Sequence, residues 1–131
     1  MIWAAAGLLA MAALAPVAVM VDQPVAVTIA VPEQVRHANA VLLHMEGVVM
    51  RRNAPAHWDV FWNASDEAHL VGYVSVPANA ALRHPKPANF TLQLPAVALA
   101  ALRRDRTMRF LFVPARKLPE GGVTITSVRL E

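Results

Sequence analysis

The side chains of this sequence best suited to chemistry are five histidines, a few hydroxyls and carboxylates, and one arginine cluster. His37, His44, His57, His69 and His84 are scattered with no pair four residues apart, so no helix can offer two imidazoles to one metal ion. His44 and Glu46 would share a face of an extended segment and could make half a metal site; a solvated polar strand face is the simpler account. Cysteine is absent, which excludes disulfides, thiolate nucleophiles and Cys-ligated zinc or iron–sulfur centres. Ser65, Ser75 and Ser127 lack a nucleophile elbow, and no glycine-rich loop leads from a strand into a helix. Asp66 and Glu67 are adjacent, so in a strand they point apart and in a loop they are solvated charges, not an acid/base pair. Arg103-Arg104-Asp105-Arg106 with Arg109 could contact phosphates, yet no aromatic platform is interleaved. We read that cluster as a solvated helix end and expect no nucleic-acid partner. No catalytic, cofactor-binding or metal-binding residue is expected, and the sequons Asn63-Ala-Ser65 and Asn89-Phe-Thr91 are taken as chance matches.

The chain that must position these groups has 131 residues, 56% of them hydrophobic and 16% charged, with 12 basic and 9 acidic residues. That length suits one domain and leaves little for a second. Ten of the twelve basic residues are arginine, and Ala, Val and Pro abound; this is the composition expected of a GC-rich, bacterial genome, and it accounts for part of the pI near 10.2. Residues 1–21 carry no charge. They read as a signal peptide or membrane anchor, which would make the protein exported, periplasmic or membrane-anchored. The absence of a preceding Lys or Arg and the Pro16 after Ala13-Leu14-Ala15 leave a second account open: an Ala-rich linker within a longer reading frame.

From Asp22 to Glu131 the pattern is one of short apolar runs separated by Pro, Asn, Gly and charge, as in an all-β domain. Seven strands are expected: Val25–Val31 between two prolines, and so at an edge; Ala40–Val49; Trp58–Asn63; Leu70–Val76; Phe90–Leu94; Thr107–Val113; and Gly122–Glu131. Trp58, Val60 and Trp62 share one strand face and should point into the core. Residues 78–89 read as a surface loop. After Pro95, the spacing of Val97, Leu99 and Leu102 predicts one short helix ending at Arg103-Arg104, where cations suit the helix dipole. In the last strand Val123 and Ile125 are out of phase with Val128 and Leu130, which predicts a β-bulge at Thr126-Ser127. With no βαβ rhythm, these elements argue for an antiparallel β-sandwich of about seven strands with one short helix, preceded by the apolar segment.

Several segments, in this order, resemble the C-terminal domain that follows the copper domain in polyphenol oxidases and some tyrosinases. Asp22–Pro32 resembles its lead-in strand, and Leu43-His-Met-Glu-Gly-Val48 its strand ending in Glu-Gly-Ile or Glu-Gly-Val. His57-Trp-Asp-Val-Phe-Trp-Asn63 is similar to the family's Lys-Phe-Asp-Val-Phe-Val-Asn signature, with His57 for Lys, so that His57, Trp58, Asp59 and Val60 stand at the motif positions. Gly72-Tyr-Val-Ser-Val-Pro77 resembles Ser-Phe-Val-Asn-Val-Pro; Phe112-Val-Pro114 stands where the family has Val-Pro-Arg, with Ala115 in place of the arginine. Val123–Glu131 resembles Val-Thr-Ile-Gly-Gly-Ile-Lys-Ile-Glu.

The resemblance implies a non-catalytic domain that shields a dicopper oxidase domain, in cis or in trans, or assists its folding, and keeps it latent. The chain cannot be that oxidase, which needs about six imidazoles from a helical bundle. A side chain inserted near the copper site as a substrate mimic would serve latency. Tyr73 is the only tyrosine and the candidate shielding residue, although an aromatic in a strand ordinarily packs into the core; the 78–89 loop could supply a plug instead. An alternative reading is an exported sandwich that binds a carbohydrate or a protein, for which Trp58 and Trp62 would form a stacking platform if their face were exposed.

Overall fold

The computed structural model describes residues 18–20, 23–50, 55–65, 67–77, 87–115 and 122–131. In chain order these form β1 (Ala18–Met20), β2 (Val25–Ala30), a 3-10 turn (Glu33–Val35), β3 (Leu42–Met50), β4 (Ala56–Asn63), β5 (Ala68–Val76), β6 (Ala88–Gln93), α1 (Ala96–Arg104), β7 (Thr107–Pro114) and β8 (Val123–Leu130). The strands make two four-stranded sheets, ordered β1-β8-β3-β6 and β2-β7-β4-β5. Every pairing within them is antiparallel. The expected all-β sandwich is therefore what the sequence builds, with seven strands of six residues or more and one α-helix among the described residues. Ala18 lies opposite Ile125, so three residues read as part of the apolar front pair with β8. The remainder of that front, residues 51–54 and residues 78–86 of the expected loop lie outside the described residues; Ala88 and Asn89, also expected in that loop, instead open β6. Among the described residues no helix is long and apolar enough to cross a membrane.

Alternation decides which side chains meet between the sheets. β4 repeats buried and half-buried positions without a break, sending Trp58, Val60 and Trp62 inward. β7 does the same with Met108, Phe110 and Phe112. From the other sheet Leu43, Met45, Ile125 and Val123 meet them, all fully buried or nearly so. Trp58 and Phe90 bridge the two layers edge to face, with ring centroids 6.3 Å apart. Proline bounds β2 on both sides, and β2 lies at the edge of its sheet, where a missing donor is tolerated.

The phase slip of β8 is present: Val123 and Ile125 are buried, and so are Val128 and Leu130. Its geometric expression differs from the expected bulge at Thr126-Ser127. Against β3 the register of β8 is constant from Leu43↔Leu130 to Met50↔Val123, because β3 slips at the same level. Met45 and Val48 are both buried, and the extra residue emerges as a register shift between β3 and β6, at Glu46-Gly47. Gly47 carries it with φ +63°, a conformation that costs a side chain strain. Its N–H donates to Asn89 Oδ1 at 3.0 Å and its carbonyl accepts from Thr126 Oγ1 at 3.1 Å. Thus Asn89 and Thr126 replace ladder bonds that the slip interrupts.

The helix also turns differently from expectation. Ala98, Ala101 and Leu102 face the sandwich, whereas Val97 is 49% exposed and Leu99 half-buried. Small residues let a nine-residue helix lie close against the core, and the i, i+3, i+4 set 98/101/102 forms that face. Arg36, from the segment after the 3-10 turn, donates to the carbonyls of Leu102 and Asp105, each at 3.2 Å. A guanidinium there satisfies orphan carbonyls at the negative end of the helix.

Candidate functional site

The four motif positions on β4 divide between two environments. Trp58 and Val60 are fully buried, so their role is packing. The Trp58 indole N–H has no acceptor among the described residues. His57 and Asp59 are half-buried on the opposite, outer face of the sheet. Tyr73 joins them there: it lies opposite Asp59 across the β4–β5 ladder, is 64% exposed, and holds its ring 5.4 Å from the His57 ring at a 31° tilt. The expectation that a strand aromatic packs inward is overturned at Tyr73, because its register partner Asp59 faces outward. The inward positions of β5 are taken by Gly72 and Val74, opposite Val60 and Trp58.

The same face carries an apolar row that crosses all four strands. Leu70 lies opposite Phe61, Phe61 opposite Leu111, and Leu111 opposite Ala26. In the adjoining row Asp59 sits between Tyr73 and Val113. Leu70 is 57% exposed; Phe61, Leu111 and Val113 are half-buried. β5 keeps Leu70 and Tyr73 on one face despite their odd separation, because a register shift between Val60 and Phe61 gives it one extra residue, Val71. Sequence reading missed Phe61, Leu111, Leu70 and Val113. A signal was available in Val60-Phe61-Trp62 and Phe110-Leu111-Phe112-Val113, unbroken apolar runs on what prove to be central strands, which mark strands apolar on both faces.

The outer face of the first sheet is mainly polar, although Leu42 is 38% exposed on it. Arg129 pairs with Glu46 and, at 2.7 Å, with Glu131, and the hydrogen bond to Glu46 is the main cause holding the Arg129 guanidinium pKa above its ordinary value. His44 Nε2 lies 3.3 Å from a Glu131 carboxylate oxygen, within ion-pair reach but out of line for a hydrogen bond. Thr91 and Gln93 are exposed on the neighbouring β6. Glu46 is thus engaged with an arginine, and no group of three or more His, Asp or Glu residues among the described ones is arranged to hold a metal ion.

Trp58 and Trp62 do not form a stacking platform. They are 0% and 7% exposed, and His69 covers Trp62 with stacked rings 5.1 Å apart. The arginine cluster ends the helix as expected: Arg103, Arg104 and Arg106 are exposed, and Arg104 pairs with Asp105 at 3.2 Å. Arg104 and Arg109 border an open cleft of about 510 Å³ with Asn63 and Thr107.

No family model matches the chain, and no curated protein matches it by sequence. Solved structures do match. Latent apple tyrosinase superposes with a TM-score of 0.64 at 16% identity, over 83% of this chain and 26% of that one. Latent aurone synthase, a polyphenol oxidase, matches in its natural form with a TM-score of 0.65 at 15% identity, over 89% of this chain and 28% of that one. Its recombinant form gives 0.65 and 15%, over 88% and 25%. The likeness is one of fold, and this chain spans about a quarter of the length of those oxidases.

Proposed function

We propose that this chain is the non-catalytic, C-terminal-type domain of a tyrosinase or polyphenol oxidase, which shields a dicopper oxidase domain not contained in this sequence or assists its folding. The observation that carries this reading is the coincidence of the ordered motifs with a sandwich that matches only about a quarter of latent oxidases. Shielding requires bulk over a pocket and a side chain that can enter it. Tyr73 meets the second need, since its phenol projects from a rigid strand, largely free of the protein's own packing, and has the chemical form of a phenolic substrate. His57 flanks that ring, with centroids 5.4 Å apart. Trp58 and Val60 hold β4 in place beneath them. A dicopper domain in cis or in trans is the partner.

The test is a pull-down with the type-3 dicopper domain encoded in the same or the adjacent reading frame, together with a copper-loaded assay of the chain alone. The chain should bind that domain and should not oxidise diphenols itself. Diphenol oxidation by the copper-loaded chain, or failure to bind the dicopper domain, would overturn the reading.

A further inference from the structure

We infer that the outer face of the β2-β7-β4-β5 sheet is the surface on which the dicopper domain seats, with the row Leu70, Phe61, Leu111, Ala26 at its centre. This inference rests on the function proposed above and adds which of two available faces makes the contact. The sandwich offers two broad outer faces, and they differ in what burial would do to them. On the first sheet, Arg129 pairs with both Glu46 and Glu131, and removing these groups from water would strip solvation from charges already paired with one another. On the second sheet, an apolar row runs unbroken across four strands, with Leu70 more than half exposed at its β5 end. Burying that row releases water from apolar surface at little polar cost.

The ionisable groups on this face also specify the occupant's chemistry. His57 and Asp59 come from β4, Arg109 from β7, and none from the described parts of β2 and β5. Asp59 is half-buried among Tyr73 and Val113, so a complementary partner presents apolar groups to the row and a cation or hydrogen-bond donor to Asp59. Tyr73 stands in the adjoining row, on the same face as Leu70 and Phe61, so a domain seated on this face meets the phenol at the same time. One surface would then provide both the grip and the plug.

The experiment measures inhibition of the dicopper domain by three variants of the whole chain. Leu70→Arg and Ala26→Arg place a charge at opposite ends of the row, both at exposed positions; Thr91→Arg places one on the other sheet. Unchanged thermal midpoints establish that each variant folds. The inhibition constant should rise about tenfold or more for the first two, as for charges introduced into an interface core, and stay within about twofold for Thr91→Arg. Hydroxyl-radical footprinting of the wild-type complex gives a second measure: Phe61, Leu70 and Tyr73 should be protected, while His44 is not. Weakening by Thr91→Arg, or wild-type inhibition by both Leu70→Arg and Ala26→Arg, overturns the face assignment and leaves the proposed function standing. Failure of the wild type to bind that domain overturns both.

Discussion

At the scale of residues, alternation splits positions 57–60 of β4 between two environments. Trp58 and Val60 belong to the core, His57 and Asp59 to the outer face, so their substitutions should separate stability from function. Trp58→Ala should lower the unfolding free energy by about 3–5 kcal/mol in urea titrations, the usual cost of emptying a large aromatic site. Trp58→Phe should cost clearly less, since it also removes an indole N–H that has no acceptor among the described residues. His57→Ala should change stability by less than about 1 kcal/mol, in keeping with its half-buried outer position. Tyr73→Ala should leave the thermal midpoint unchanged while weakening inhibition of the dicopper domain about tenfold; retained inhibition would remove Tyr73 from the shielding role. The tyrosine illustrates what sequence alone could not decide. Its type suggested a buried residue, whereas its register partner, a property of two strands together, put it outside.

At the scale of elements, Gly47 and Arg36 each hold a local arrangement that propensity does not. A Cβ on Gly47 would lie 2.6 Å from Thr126 Oγ1 on a backbone at φ +63°. Gly47→Ala should therefore destabilise by about 1–3 kcal/mol from backbone strain alone, with a steric part against Thr126 Oγ1 and Cβ that Thr126→Gly, which removes both atoms, partly relieves; the double-mutant cycle should be non-additive. Arg36→Met should cost about 1–3 kcal/mol through the two carbonyls at the helix end that lose a charged donor. The strands were legible in the sequence because proline and polar turns punctuate them and because alternation marks one apolar face. The slip in β8 was legible as well, from Val123, Ile125, Val128 and Leu130. That β3 slips with it was not, because the shared register and the role of Asn89 arise only on pairing. The helix face was misread since Val97 outweighs Ala98 in hydrophobicity, yet closeness of approach favoured the smaller side chain.

At the scale of the molecule, the sandwich presents one mainly polar face with an arginine paired to two glutamates and one face crossed by an apolar row and bearing an exposed phenol. Each half of that contrast could be drawn from the sequence only in part. The unbroken apolar runs of β4 and β7 are visible in it, but their alignment into a continuous row depends on strand order. The fold alone is compatible with many tasks, so the central claim, a shielding domain for a dicopper oxidase, rests on the site and must be tested through it. The most direct measurement is the initial rate of diphenol oxidation by the cognate dicopper domain, titrated with this chain. Saturable inhibition at stoichiometric chain, relieved when the chain is removed by proteolysis, is the result expected. A rate indifferent to the chain at every concentration, with copper content and folding of the oxidase domain also unaffected, would contradict the claim.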